Sequence, residues 1–491
     1  MINLRLKVAQ GAAWVLASRI TINIIGLIST ITLARLLVPS DFGIVSIALT
    51  IISIVDSFTN IKATAALIHQ EDPTREHIDT IWTISLIRGI LISLVIALIA
   101  FPASQIYNEP RIVPILLILA AANVITGAYN PKLAILNKNL VFSRDFYISV
   151  ASKISGLIVA AYIAWEYKSY WALISASLVS QFVTLIFGYI SAPYCPKFTL
   201  SKFKDFYSFS AWLTLSQSVI TINWNADQFI AGIVLNHNEL GNYNFANNLA
   251  SLPTREAIQP LTSTLFPGFT HLAKDSVRLM DAYLRSSAVV LGISFPVAVG
   301  FSFLSGDLVP LVVGPQWTIA SKMIGVMALI FGIGSISTSV QPLMMAVGAT
   351  KKLFYRELFM LFIRMPLLVT GVMFAGIWGL IAARAASTLV SVLIDIQMVS
   401  GTLRLSLWRQ LYSAVRYATA SGIMWAVLLA TKWLYLLSGV NSQLAYISVS
   451  IVVGAVTYIV SSLSIWLLTS KPEGVEDEMV KLLSKLPKTR G

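Results

Sequence analysis

Long apolar runs separated by short polar segments extend along almost the whole chain. A run of about 20 mainly apolar residues is long enough to cross the hydrocarbon core of a bilayer as an α-helix. The pattern predicts fourteen such spans, at 11–36, 41–68, 78–101, 110–134, 145–165, 169–191, 206–235, 241–268, 282–303, 318–349, 354–374, 377–400, 415–437 and 443–468. We therefore predict an all-α polytopic membrane protein with about fourteen transmembrane helices.

The composition supports this prediction. Of the 491 residues, 56% are hydrophobic and only 12% are charged, which is about half the charged fraction of an average soluble protein. The single cysteine excludes an internal disulfide, and the four histidines lack the spacing of metal ligands. No nucleic-acid-binding motif accompanies the net charge of +13. We therefore expect neither a metal site nor a nucleic-acid partner.

Lysine and arginine are concentrated in alternate loops. With the N-terminus in the cytoplasm, the cytoplasmic segments hold 22 of the 35 basic residues, the outer segments hold four, and nine lie within spans. An excess of basic residues marks the cytoplasmic side of a membrane protein. The distribution predicts that both termini are cytoplasmic, and it explains much of the positive net charge.

The two halves of the chain carry similar segments at a constant offset. The segment "AAWVLAS" around Trp14 resembles "SAWLTLS" around Trp212, and "LVPSDFG", ending at Gly43, resembles "LNHNELG", ending at Gly241. Each pair is 198 residues apart. A later pair, "NPKLAIL…FSRD" and "QPLMMAV…FYRE", is offset by 211 to 212 residues. This pattern is typical of a parallel repeat of two six-helix halves, an arrangement found in alternating-access transporters.

The repeat sets the predicted domain organisation. Two pseudo-symmetric six-helix bundles are followed by two additional helices, and the C-terminal tail has apolar residues on one face of a predicted short amphipathic helix. The predicted boundaries are 1–200 for the N-terminal bundle, 201–405 for the C-terminal bundle, 406–470 for the two additional transmembrane helices and 471–491 for the cytoplasmic tail.

Five segments resemble, in the same order, the sequence blocks of a known family. They are "LARLLVPSDFGIVSIA", "ALIHQED", "NADQFIAGIVLNHNELGNYNFANNLASLP", "AYLRSS" and "LVVGPQW". On these segments the chain resembles the Wzx-type polysaccharide flippases, closest to their colanic-acid-exporter branch, within the multidrug/oligosaccharidyl-lipid/polysaccharide exporter superfamily. The chain departs from that branch at "ALIHQ", where the branch usually has A-L-I-Q-R, so one positive charge is missing there.

The resemblance implies a function. It implies that the protein moves an undecaprenyl-pyrophosphate-linked oligosaccharide repeat unit from the cytoplasmic to the outer leaflet of the bacterial inner membrane, by alternating access through a basic central cavity. The product would feed surface polysaccharide assembly, with a polymerase and other assembly proteins as candidate partners. The sequence has no P-loop, so we expect no nucleotide cofactor and consider a proton or sodium gradient as the energy source.

Two alternatives remain open at this point. One is a membrane polymerase or glycosyltransferase of the same pathway, and the other is a multidrug antiporter of the same fold. The longest outer segment, 304–317, carries only Asp307 as a charge, which disfavours catalysis on that side. An antiporter of cationic drugs would favour surplus acids within the spans, whereas this chain has nine bases and four acids there when the residues at span ends are set aside. We therefore predict a transporter that is not an enzyme.

Charges within spans are candidates for function, because each costs on the order of 2.5–3.5 kcal/mol at the bilayer centre. Surplus bases suit an anionic ligand such as pyrophosphate. The resemblance places spans 1, 2, 7 and 8 around the cavity and the spans of Lys153 and Arg364 towards the outside of each bundle, where pairing within the bundle is the competing interpretation. The predicted substrate-binding bases are Arg19, Lys62, Arg255, Arg364 and Lys153.

Three acids are candidates for charge pairing or ion coupling: Asp56, Asp227 and Glu256. Asp227 corresponds to Ser29 in the first copy, so this acid belongs to one half only. It either pairs statically with a cavity arginine or titrates during transport. Arg255 and Glu256 are adjacent and point about 100° apart on a helix, so we expect each to pair with another helix.

Amide side chains near the second polar turn are candidates for a sugar-binding wall, because amides bind sugar hydroxyls. Hydrogen bonding between helices is the alternative interpretation. The predicted wall residues are Asn223, Asn225, Asn244 and Asn247.

Overall fold

A computed structural model describes residues 2–59, 73–138, 141–203, 211–438, 442–469, 472 and 474–478. These residues form helices and connecting segments and contain no strand. The chain divides into two compact units, Met1–Asn242 and Tyr243–Gly491. The predicted all-α fold class is confirmed.

The described residues of the first unit form eight helices and the start of a ninth. They are α1 (Ile2–Leu36), α2 (Pro39–Thr59), α3 (Arg75–Ile106), α4 (Ile112–Gly127), α5 (Lys132–Lys138), α6 (Ser143–Tyr167), α7 (Trp171–Ser191), α8 (Ala211–Val234) and the beginning of α9 (His237–Leu272).

In the second unit, six long or short α-helices follow α9 between residues 276 and 468 of the described chain. They are α10 (Ser276–Val313), α11 (Thr318–Gly334), α12 (Val340–Ala346), α13 (Thr350–Leu403), α14 (Leu407–Ser438) and α15 (Gln443–Leu468), with single 3₁₀ turns at Pro315–Trp317 and Ser335–Ser337. Asp275 caps α10 by accepting a hydrogen bond from the Arg278 N–H at 3.2 Å, as expected of an N-cap aspartate.

The longest helix, α13, is a helical hairpin. Its backbone leaves the helical conformation at Ala375 and Gly376, where Gly376 has a φ of 55°. A Cβ built at Gly371 would lie 2.4 Å from the carbonyl oxygen of Gly379, so the two legs pack side by side. A straight helix would separate residues eight positions apart by about 12 Å. The break lies between the predicted spans 354–374 and 377–400.

The remaining spans overlap described helices, although 110–134 and 318–349 each extend over two helices, and residues 60–68 and 206–210 lie outside the described residues. Among the described residues, ten helices are long and apolar enough to cross a membrane, or eleven if the bent pair α4 and α5 forms one span. That count takes α13 as one helix and omits α8 and α9. The number of fourteen transmembrane helices therefore stays a prediction. The seven-residue helices α5 and α12 occupy equivalent places in the two copies of the repeat.

Ion pairs join residues that the predicted topology places on the same side. Arg416 and Glu476, both assigned to the cytoplasmic side, lie 3.0 Å apart. Lys432 and Asp307, both assigned to the outer side, lie 2.9 Å apart. These pairs are consistent with the predicted alternation of the loops.

Candidate functional site

The two similar polar turns of the sequence meet within the first unit. A Cβ at Gly43, near the start of α2, would lie 2.1 Å from the carbonyl oxygen of His237. A Cβ at Gly241, near the start of α9, would lie 1.7 Å from the carbonyl oxygen of Pro39. Pro39 and His237 are 198 residues apart, like the two glycines. The contact is reciprocal, and it needs glycine because any side chain would hold the backbones apart.

Local sequence explains why both helices begin beside this contact. Pro39 takes the first position of α2, where the missing N–H costs no helical hydrogen bond. Asn236 precedes α9, and its Oδ1 accepts a hydrogen bond from the Glu239 N–H at 2.9 Å, which caps the helix. We call the segments Pro39–Gly43 and His237–Gly241 the turn pair.

A buried carboxylate is bound to the turn pair. Glu109, in the connection between α3 and α4, accepts hydrogen bonds from Arg111 Nε and Nη2, each at 2.8 Å. His237 Nε2 lies 2.9 Å from Glu109 Oε2. The hydrogen bonds from Arg111 lower the pKa of Glu109 to about 2. Glu109 is therefore an ionised acceptor that ties the start of α9 to the α3–α4 connection.

Helices α2 and α8 also pack against each other along their length, at residues beyond the turn pair. Thr50 Oγ1 donates to Gln228 Oε1 at 3.0 Å, and Ser218 Oγ donates to the Ser57 carbonyl at 2.9 Å. Asp227 on α8 is fully buried, and its Oδ1 accepts from the Gln228 N–H at 3.0 Å. The opening segments of the two repeats are thus joined by buried polar contacts.

The predicted acids differ in their surroundings. Asp56 on α2 forms an ion pair with Arg88 on α3, so it is bound within the first unit. Arg255 Nε lies 3.3 Å from Glu256 Oε1. These two neighbours therefore pair with each other, because the long arginine side chain spans the angle between adjacent positions, and the expectation that each also pairs with another helix stays a prediction. Both interpretations of Asp227, static pairing with an arginine and titration during transport, stay predictions.

The predicted bases are spread over both units. Arg19 on α1 and Arg364 on α13 are partly buried, whereas Lys153 on α6 and Arg255 on α9 are exposed. Lys62 lies outside the described residues. Binding of substrate by these five residues stays a prediction.

The four predicted wall amides lie on α8 and α9. Asn225 Nδ2 donates to the Thr221 carbonyl at 2.8 Å, and Asn244 Oδ1 accepts from Asn248 Nδ2 at 3.2 Å, so these two amides bond along their own helices. Asn223 is buried and Asn247 is partly buried. Their role in binding sugar stays a prediction.

The sequence did not indicate the partners of two arginines in the second unit, one of them buried and the other partly buried. Arg384 is buried, donates to Tyr243 Oη at 3.1 Å and stacks 5.0 Å from the Phe331 ring centre. Arg356, near the start of α13, binds Asp395 on the returning leg, with Nε 2.9 Å from Oδ1. Arg384 and Asp395 were visible as charges within spans, but their partners follow from the packing of the helices and from the hairpin.

Comparison with known proteins identifies the family. A model of the family described as "Polysaccharide biosynthesis protein" matches residues 32–322, more than half of the chain. The chain belongs to this family. The match includes the turn pair, and it ends within α11.

Relatives of known name support membership of the polysaccharide biosynthesis family. The chain is 25% identical over 422 residues to the lipopolysaccharide biosynthesis protein WzxC of Escherichia coli, covering 84% of this chain and 86% of that protein. It is 24% identical over 350 residues to the succinoglycan biosynthesis transport protein ExoT of Rhizobium meliloti, covering 71% of each. The resemblance noted in the sequence is confirmed.

Solved structures confirm the fold. The chain is similar to the lipid II flippase MurJ in an inward closed conformation, with a TM-score of 0.73, 15% identity, and coverage of 93% of this chain and 99% of that one. The protein is thus an integral membrane protein of the polysaccharide biosynthesis family, and its fold is similar to that of MurJ.

Proposed function

We propose that this protein is a flippase that moves an undecaprenyl-pyrophosphate-linked oligosaccharide from the cytoplasmic to the outer leaflet of the bacterial inner membrane. The observation that carries the proposal is the fold, which matches a lipid II flippase along almost its whole length. Membership of a polysaccharide biosynthesis family supports a glycan as the cargo. A polymerase and other polysaccharide-assembly proteins are its proposed partners.

The charges within the helices support an anionic cargo. With the residues assigned to span ends set aside, nine bases and four acids lie in the predicted spans, and a surplus of positive charge in a water-filled pathway attracts pyrophosphate. Arginine can bind pyrophosphate oxygens in a bidentate manner. We propose Arg19, Lys62 and Arg255 as the bases that contact the pyrophosphate or acidic sugars.

The turn pair supports transport by alternating access. In that mechanism the two halves approach each other on one side of the membrane and separate on the other. A contact made by glycines and backbone atoms can close tightly and part without breaking side-chain packing. In the proposed orientation, with both termini cytoplasmic, the turn pair closes the outer end.

Asp227 is the proposed ion-coupling residue or the static partner of a cavity arginine. The two roles predict different results for Asp227→Asn. A static pair would lose expression or thermal stability, because an arginine would be left with an uncompensated buried charge. A coupling residue would keep its folding and lose the dependence of transport on a proton or sodium gradient.

Flipping can be measured directly with purified protein in vesicles. A fluorescent polyprenyl-pyrophosphate oligosaccharide is placed in the outer leaflet, and its movement away from an impermeant quencher is followed. We expect transport by the wild type and a large loss in Arg19→Ala, Lys62→Ala and Arg255→Ala, with Arg278→Ala as the matched control because Arg278 is exposed and pairs with Asp275. Transport that is unchanged in all three variants would refute the basic pathway.

The cellular test is removal of the protein. We expect undecaprenyl-linked oligosaccharide to accumulate on the inner face of the membrane and finished polymer to disappear from the surface. Continued export of polymer without accumulation would refute the proposed function.

A further inference from the structure

The segment 474–478, which follows α15, is bound to the second unit by a buried carboxylate. Glu476 Oε2 accepts hydrogen bonds from Arg416 Nη2 and from Tyr417 Oη, each at 3.0 Å, and Oε1 accepts from Ser462 Oγ. The side chains of Arg416 and Glu476 are only 3% and 5% exposed. Val475 adds a hydrogen bond from its N–H to Tyr417 Oη at 3.2 Å. The segment 474–478 is therefore anchored to α14 and α15.

This anchor places a second carboxylate beside an arginine of α10. Arg285 Nη1 lies 3.5 Å from Glu478 Oε1, and the two side chains are 40% and 41% exposed. Exposed ion pairs of this length contribute little stability. An anion that forms two charge-assisted hydrogen bonds can therefore replace Glu478 at Arg285.

Arg285 and Glu478 border an apolar pocket between α9 and α10. The pocket has a volume of about 300 Å³ and is lined by Leu261, Leu265 and Phe269 of α9 and by Val289 and Val290 of α10, among others. This volume is at the lower end of the range for ligand-binding sites, which start at about 300 Å³. A base at the edge of an apolar pocket is complementary to a molecule with a negatively charged head and a hydrocarbon chain.

The position of Arg285 in the predicted span 282–303 places it at the level of lipid headgroups. Arg285 is three residues from the start of that span, and a long basic side chain near the end of a span extends its charge to the interface. In the proposed orientation the start of α10 is cytoplasmic, so Arg285 lies among the headgroups of the cytoplasmic leaflet.

We propose that this pocket binds an anionic phospholipid of the cytoplasmic leaflet, with its phosphate on Arg285 and an acyl chain against α9 and α10, and that Glu478 of the anchored tail competes for Arg285. Among the residues that line the pocket, Arg285 is the one base, and Glu478 already neutralises part of its charge. This arrangement suits a phosphodiester with one negative charge better than a pyrophosphate. The proposal uses the proposed orientation but does not depend on which substrate is transported.

Native mass spectrometry of the detergent-purified full chain, titrated with phosphatidylglycerol, tests the site. Arg285→Gln is expected to bind about tenfold more weakly, the effect of losing one charge-assisted hydrogen bond. Arg278→Gln is the matched control, because Arg278 is on the same helix, is 77% exposed and pairs with Asp275. Phosphatidylcholine is expected to bind weakly to all forms. Equal binding of phosphatidylglycerol by Arg285→Gln and Arg278→Gln would refute the proposed binding site.

A second variant gives an effect that misfolding cannot produce. Glu478→Gln removes the competing charge and is expected to tighten phosphatidylglycerol binding several-fold, whereas unchanged or weaker binding would overturn the competition. Polyprenyl pyrophosphate added to the same samples is expected not to displace phosphatidylglycerol. Displacement that depends on Arg285 would identify the transported lipid, rather than a phospholipid, as the occupant. Because binding is measured without transport, a failure of the flippase proposal would leave this result unaffected.

Discussion

Replacement of Gly43 by alanine tests whether the turn pair is a closing contact. The alanine Cβ would lie 2.1 Å from the His237 carbonyl oxygen, whereas ordinary contact begins at 3.4 Å, so the two backbones must separate by about 1.3 Å. Overpacking of this kind costs about 1–3 kcal/mol. The ratio of closed to open protein should therefore fall roughly fivefold to 150-fold.

The opening can be measured by cysteine labelling. Replacement of Cys195, the only cysteine, by alanine gives a background free of thiols. Thr50 on α2 is buried and hydrogen-bonded to Gln228, so a Thr50→Cys variant reports on separation below the turn pair. We expect an impermeant maleimide, added from outside, to label Thr50→Cys at least about fivefold faster when Gly43→Ala is present.

Two further variants complete this test. Gly241→Ala should act in the same direction, because its Cβ would lie 1.7 Å from the Pro39 carbonyl oxygen. Gly422→Ala is the matched control, since no atom outside the neighbouring backbone of its own helix lies within 4 Å of its Cβ, and it should leave labelling unchanged. If Gly43→Ala folds normally but does not accelerate labelling, the turn pair is a static packing contact and the reasoning is refuted.

Three other predictions concern stability, measured as thermal unfolding of the detergent-purified protein. Glu476→Gln breaks the buried pair with Arg416 and should destabilise the protein by about 3–5 kcal/mol, whereas the exposed Glu478→Gln should change stability little; equal effects would contradict the anchor. Glu109→Gln should destabilise the protein at pH 7, and the difference from wild type should shrink as the pH falls from about 4.5 towards 2, because the depressed pKa of Glu109 stabilises the fold only while the carboxylate is ionised. A difference that does not change with pH would argue against the ionised pair. Tyr243→Phe removes the acceptor of the Arg384 hydrogen bond and should cost about 1–3 kcal/mol; no loss would show that this bond contributes nothing.

Part of the candidate site was visible in the sequence. The offset of 198 residues between Gly43 and Gly241 predicted two equivalent turns, and the structure brings these turns into reciprocal contact. The contact itself could not be predicted, because a repeat defines which residues are equivalent and not which of them touch. The binding of Glu109 to His237 likewise joins residues that are far apart in the chain.

Charge pairing was the least predictable feature. Arg255 and Glu256 pair with each other, which helix geometry alone did not indicate, because flexible side chains reach across angles that backbone positions separate. Glu476 sits in a tail predicted as a surface helix, yet it is buried against Arg416. The burial of Glu476 depends on how α14 and α15 pack, and the sequence of the tail does not indicate that packing.

The sequence by itself determined the helices and the repeat, because an apolar segment of sufficient length must satisfy its own backbone hydrogen bonds within a membrane. That requirement is local, so it can be recognised from the order of residues alone. Only the tertiary structure decided which charges are paired, how the glycines of the turn pair meet and where the tail is anchored. These features depend on distances between segments remote in sequence, and they are fixed by the packing of helices against one another.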